Sequence, residues 1–190
     1  MNESNCTVQE NKDTEQTYIW IDLEMTGLNP KKDVILEIVS VVTDGQLNII
    51  AQGPEIIISH PERVLQGMDD WCTKTHKKSG LWDKVRASDT SLEEAEQQTL
   101  SFLRQYCNPK KSPLAGNSVW MDRVFIMNYM SRLYDFMHYR TIDVSTIKEL
   151  IKAWYPDKTR TFKKRNSHRA LDDILESIDE LKHYRELVFK

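Results

Sequence analysis

Residues 18–28 read YIWIDLEMTGL. Four apolar residues run into Asp22, and Glu24 follows two positions later. The run reads as a buried strand, and acids at the edge of a core are costly unless something positive neutralises them. A basic side chain, a helix N-terminus or a metal ion could do so. Alternation along a strand puts residues 22 and 24 on one face, and two carboxylates on one face repel each other. A shared divalent cation is the natural partner; the competing reading is an edge strand with solvated acids. A second D-x-E, Asp13-Thr14-Glu15, lies in a polar tail and reads as a solvated charge cluster.

Around this stretch the chain reads as α/β. Residues 17–23 form the first strand, VILEIVSVVT at 34–43 a second, and Asp44-Gly45 is a hairpin signal. Residues 47–58 return as a third strand, bent at Gly53-Pro54. A capping box of Ser91 and Glu94 opens a helix carried by Leu92, Ala95, Thr99, Phe102, Leu103 and Tyr106 and stopped at Asn108-Pro109. Residues 112–117 read as a short strand, 119–137 as one helix rich in Met and aromatics, 140–143 as a strand and 144–154 as a helix. A last helix starts near Ser167, with Ala170, Leu171, Ile174, Leu175, Ile178, Leu181 and Tyr184 on one side. The expectation is a mixed sheet, an antiparallel meander followed by parallel strands, flanked by helices.

Bulk properties narrow the function. The 190 residues suit one domain, 39% apolar residues suffice for a core, and a net charge of −3 makes no case for a generic polyanion binder. Cys6, Cys72 and Cys107 are odd in number and far apart, which speaks against a zinc site or a disulfide framework and for a reducing cytoplasm. Apolar stretches are too short for a membrane span, and residues 1–16 read as a disordered tail without a signal-peptide core.

Further acids stand in GNSVWMDR (Asp122) and NSHRALDDILESI, where His168 precedes Asp172 and Asp173. At about 100° per residue, Asp172 falls nearly opposite the apolar stripe and Asp173 at its border, so Asp173 is the site candidate. Asp22, Glu24, Asp122 and Asp173 could together hold two Mg²⁺ or Mn²⁺ ions, since hard cations prefer oxygen ligands. Two ions about 4 Å apart suit in-line attack on phosphorus, with His168 taking the proton of the attacking water.

DLEMTGL, GNSVWMDRVFI and SHRALDDI, in this order and spacing, resemble the three motifs of the DEDD exonuclease superfamily, histidine subtype, and most closely those of the oligoribonucleases. The likeness runs from about residue 17 to the C-terminus, and the His-x-x-x-x-Asp spacing also selects Asp173. It implies an RNase H-like fold in a single exonuclease domain over 17–190. It further implies two Mg²⁺ or Mn²⁺ ions, 3′→5′ hydrolysis of very short RNA, dinucleotides above all, to 5′-mononucleotides, and a homodimer. By position, Leu28 would wedge between the two bases and Trp71 pack beside the 3′ base. Ser118, Arg140, Ser145 and His76 would gather around the terminal 5′ phosphate, with Tyr139 arriving from the second subunit. Taken singly, Trp71 and Tyr139 also read as core aromatics, Arg140 as a surface residue and Leu28 as an exposed leucine. The basic stretch KTRTFKKRNSHR, 158–169, reads as a solvated loop or as a lid that attracts substrate. Rival readings are an exonuclease of the same superfamily acting on longer RNA or DNA, and a binding module or dinucleotide sensor that has lost hydrolysis.

Overall fold

The structure, a computed structural model, describes residues 16–155, 162 and 169–189. Residues 1–15, His168 and most of the basic stretch at 158–169 lie outside them. The central strand β1 (Thr17–Met25) pairs antiparallel with β2 (Ile35–Asp44), which pairs antiparallel with β3 (Ile49–Gln52) and β4 (Ile56–Ile57). On its other side β1 runs parallel to β5 (Leu114–Gly116), and β5 parallel to β6 (Thr141–Asp143). The strand order is β3-β2-β1-β5-β6, with β4 beside β2. The meander and the parallel addition are thus as the residues predict. The return strand breaks in two at Gly53-Pro54: a Cβ on Gly53 would lie 2.7 Å from Ser40 Oγ and 2.9 Å from the Phe102 ring.

Period-two alternation divides β1 between two cores. Ile19, Ile21 and Leu23 pack with residues of α4 (Leu92–Leu103), α5 (Trp120–Tyr129) and α6 (Ser131–Phe136). Trp20 faces the other way, among residues of α7 (Val144–Trp154) and α8 (Ala170–Val188). It is fully buried, and its indole N–H donates to Thr43 Oγ1 at 3.0 Å, as a buried Trp requires. Ala170, Ile174, Ile178, Leu181 and Tyr184 of α8 are buried at the spacing of one helix face.

Three departures from the sequence reading have local causes. Residues 119–137 form two helices, not one, because Met130 leaves helical geometry at φ −134°, ψ 65°. The capped helix ends at Leu103, before Asn108-Pro109, in tight turns through Tyr106 and Cys107. Residues 60–90, given no elements by pattern, hold α1 (Glu62–Gln66), α2 (Asp70–Ser79) and α3 (Leu81–Ala87). The polar sequence DWCTKTHKKS hides α2, which Asp69 caps by accepting from the Cys72 N–H at 2.7 Å and Gly80 ends at φ 79°.

The capping box forms as expected. Ser91 Oγ accepts the Glu94 N–H at 3.2 Å, and Glu94 accepts the Ser91 N–H at 2.8 Å. Replacing Ser91 by Ala is expected to lower stability by about 1 kcal/mol, measured as a shift in the urea unfolding midpoint with unchanged slope.

Candidate active site

Three parallel strands end on one side of the sheet, and the candidate residues sit at those ends. Asp22 and Glu24 close β1 on the face that Trp20 turns toward α8. Asn117 and Ser118 follow β5 directly, and Asp143 ends β6 with Ser145 just beyond. Open α/β sheets bind ligands at the carboxyl ends of their strands, where helix starts and loops leave a crevice.

Asp22, Glu24 and Asp173 each offer an oxygen, and these atoms all lie within 4.8 Å of one another. Asp173 lies in the first turn of α8, half-buried, while Asp172 beside it is exposed. Asp122 stands next to this trio, not within it. The register of β1 with β5 ends at Trp20–Ala115, and the Leu23 N–H beyond it donates to Asp122 Oδ1 at 3.0 Å. One buried carboxylate of α5 thereby completes the strand's hydrogen bonding and lies close to the other acids.

Their charges are poorly compensated. Burial, then the charges of Asp122, Glu24, Asp173 and Glu37, push the Asp22 carboxyl well above the usual range. Burial, with Glu37, Asp173 and Asp122, lifts Glu24 to about 8, and Arg169 opposes the rise. Burial raises Asp122 to about 7 against the bond from Leu23. Such a set of half-buried oxygens fits a hard divalent cation, whose charge would reverse these shifts.

The remaining candidates surround the acids unevenly. Leu28 is 66% exposed in the loop after β1. That loop is stiff: Thr26 Oγ1 donates to Asp33 Oδ1 at 3.1 Å and the Asn29 N–H to Asp33 Oδ2 at 2.9 Å. A Cβ on Gly27 would sit 2.5 Å from Asp33 Oδ2, so any larger residue there would displace the carboxylate that ties the loop. Trp71, on the first turn of α2, is 64% exposed, so it is not a core aromatic. His76 of the same helix is buried, its Nε2 2.9 Å from the Met25 carbonyl and its Nδ1 3.9 Å from Glu24. It braces the end of β1 from beneath. Ser118 and Ser145 touch, Oγ to Oγ at 3.1 Å. Tyr139 is 72% exposed, so it too is not core, and the exposed Arg140 guanidinium lies 5.3 Å from its ring centroid.

Sequence reasoning missed Glu37. It is buried opposite Glu24 across the β1–β2 ladder, and burial raises its carboxyl against the pull of Arg169 and Lys84. Arg169 also meets Glu55 at 2.8 Å. A lone acid inside ILEIVSVV was the available signal. Asn117, Asp143 and Glu180 were also missed; Asn117 stands inside the GNSVWMDR motif, whereas nothing in the local sequence marks Asp143 or Glu180.

Comparison with known proteins points the same way. The exonuclease family model matches residues 19–181. The oligoribonuclease of Marinobacter nauticus is 55% identical over 172 residues, 90% of this chain and 96% of that one. Those of Pseudomonas aeruginosa and Vibrio cholerae are 53% and 54% identical, over 92% and 93% of this chain and 97% and 98% of theirs. Among solved structures, the moderately thermophilic exonuclease I of Methylocaldum szegediense superposes with a TM-score of 0.70 at 16% identity over 92% of this chain. E. coli exonuclease I in complex with a dA16 oligonucleotide gives 0.71 at 15% over 91%. This chain spans 41% of the length of each. The shared fold is RNase H-like, with the mixed sheet described above. No helix among the described residues is long and apolar enough to cross a membrane.

The raised acids set a pH dependence. Glu24 has an ordinary value of 4.5 and about 8 when folded; Asp122 has 3.8 and about 7. The folded chain therefore binds extra protons between those values, and stability falls as pH rises through the folded pKa. Metal-free protein is expected to lose Tm between pH 4.5 and 8, and Mn²⁺ to restore most at the alkaline end. Thermal melts in EDTA and in Mn²⁺ across that window check this; parallel curves would contradict it.

Proposed function

We propose that this chain, which belongs to the exonuclease family and within it to the oligoribonucleases, removes nucleotides from the 3′ end of very short RNA. Dinucleotides are its main substrate and 5′-mononucleotides its products. The observation that carries the reading is the meeting of Asp22, Glu24 and Asp173 within 4.8 Å, with Asp122 hydrogen-bonded to the strand between them. With the RNase H-like fold and relatives matched over nearly their full length, it favours phosphodiester hydrolysis over mere binding.

Asp22, Glu24, Asp122 and Asp173 would hold two Mg²⁺ or Mn²⁺ ions. When bound, such ions supply Lewis acidity and a water of lowered pKa. The chain's own groups do the rest. His168, directly before Arg169, takes the proton of the attacking water. Arg169, held by Glu55, tempers the negative charge around Glu24 and Glu37. Leu28 on its stiff loop separates the two bases, and the open face of Trp71 stacks on the 3′ base. Ser118, Ser145 and Arg140 receive the terminal 5′ phosphate through charge-assisted hydrogen bonds. His76, which the resemblance sets beside them at the phosphate, is buried at the end of β1 with Nε2 2.9 Å from the Met25 carbonyl. A phosphate cap is a wall, so selectivity for short chains follows from the site's closed end. It also explains why a chain of net charge −3 needs no extended basic surface.

A homodimer completes the site, with Tyr139 reaching the partner's substrate. Its 72% exposure leaves an aromatic ring open to solvent, which supports a surface that another copy covers.

Asp22→Ala and Asp173→Ala are expected to reduce hydrolysis to background with unchanged circular dichroism. Trp71→Ala should weaken dinucleotide binding by about 1–3 kcal/mol, read as a raised KM. In a series of 5′-phosphorylated di- to heptanucleotides with Mg²⁺, the rate should fall steeply with length. A constant rate would favour the rival, an exonuclease for longer chains.

A further inference from the structure

Beneath the Ser118–Ser145 pair lies a hydrogen-bonded network that catalysis does not explain. Glu180 of α8 is a fully buried carboxylate. The Tyr184 hydroxyl donates to its Oε1 at 2.7 Å, Lys148 Nζ lies 3.5 Å from the same oxygen, and Asn117 Nδ2 donates to its Oε2 at 3.0 Å. Asn117 Nδ2 also donates to Ser177 Oγ at 2.8 Å, and Ser177 Oγ donates to the carbonyl of Asp173 at 2.7 Å. Asn117 therefore ties the loop after β5 to the turn of α8 that carries an acid of the site.

The proton inventory gives this network a direction. Ser177 Oγ spends its one proton on the Asp173 carbonyl, so toward Asn117 it can only accept, and this turns the Nδ2 end of the Asn117 amide to Ser177 and Glu180. The other end, Oδ1, then faces Ser145 Oγ at 3.1 Å and takes its single proton. Ser145 Oγ is left as an acceptor, and it receives the Ser118 N–H at 2.9 Å. The Ser118 hydroxyl becomes the movable donor of the pair. Ser118 itself has φ 51°, a left-handed conformation costly for a residue with a Cβ. Asp143 holds it there, its Oδ1 accepting both the Ser118 and Ser145 N–H groups at 3.0 and 2.9 Å.

We propose that Asn117 is a positioning residue that sets the donor polarity of the Ser118–Ser145 pair, so that Ser118 offers its proton to the terminal 5′ phosphate of the substrate. The inference rests on the phosphate-cap reading given above. Without Asn117 the Ser145 proton is released and the two hydroxyls lose their fixed order.

The test compares kcat/KM for a 5′-phosphorylated and a 5′-hydroxyl dinucleotide, with the full chain and Mn²⁺. Asn117→Ala is expected to lower the phosphorylated-to-hydroxyl ratio about tenfold, the size of one charge-assisted hydrogen bond, chiefly through KM. Ser177→Ala, which removes one acceptor of Asn117 and nearly conserves volume, should lower the ratio less, in the same direction. A merely structural role would lower Tm and slow both substrates equally, leaving the ratio unchanged. That result in Asn117→Ala overturns the inference, and if that variant does not fold, an unchanged ratio in Ser177→Ala does so. A wild-type chain with no preference for the 5′ phosphate would instead sink the cap reading, and the inference with it.

Discussion

Half-buried carboxylates that face one another repel, and this protein gathers three of them at the end of one strand with a fourth beside them. The rest of the fold holds that arrangement against its own electrostatics. Trp20 anchors β1 from the α8 side, and Ile19, Ile21 and Leu23 anchor it from the other. Pairing with β2 runs the whole length of β1. The strand cannot yield to the repulsion without opening both cores. Burial and mutual repulsion raise the carboxyl pKa values, the β1–β2 register shifts just past Glu24, and a divalent cation would relieve the repulsion.

The same topology brings the serine pair and its partners to the acids' side of the sheet. β5 and β6 run parallel to β1, so their C-terminal ends open on the same side. One end supplies Asn117 and Ser118, the other Asp143 and Ser145. α8 crosses beneath both, giving Asp173 to the acids and Ser177 and Glu180 to the hydroxyl network. The acids and the hydroxyl network thus both draw on α8, and a shift of that helix would disturb them together.

Much of this was legible. Alternation in YIWIDLEM marked the strand and put both acids on one face. Ser91 with Glu94 marked a helix start, and Gly53-Pro54 a bend, where the strand in fact divides in two. Helical spacing separated Asp173 from the exposed Asp172. The helices between residues 60 and 90 were illegible because α2 buries only Cys72 and His76; its stability comes from caps and docking, which leave little periodicity. Met130 reads as an ordinary helix former, so the break there was equally hidden. Glu37 looked like an interruption in an apolar run until the ladder set it opposite Glu24.

Short periods and fixed spacings were enough to mark most of the strands, the acids that belong to motifs and the family the chain resembles. It took the packed molecule to show that Asp122 completes the hydrogen bonding of β1 while joining the acids, that His76 lies buried next to Glu24, and that a buried glutamate in α8 is hydrogen-bonded through Asn117 to Ser145. Those relations join residues between 28 and 99 positions apart; hydrogen-bond direction and burial arise only when distant segments pack, and no local pattern encodes them.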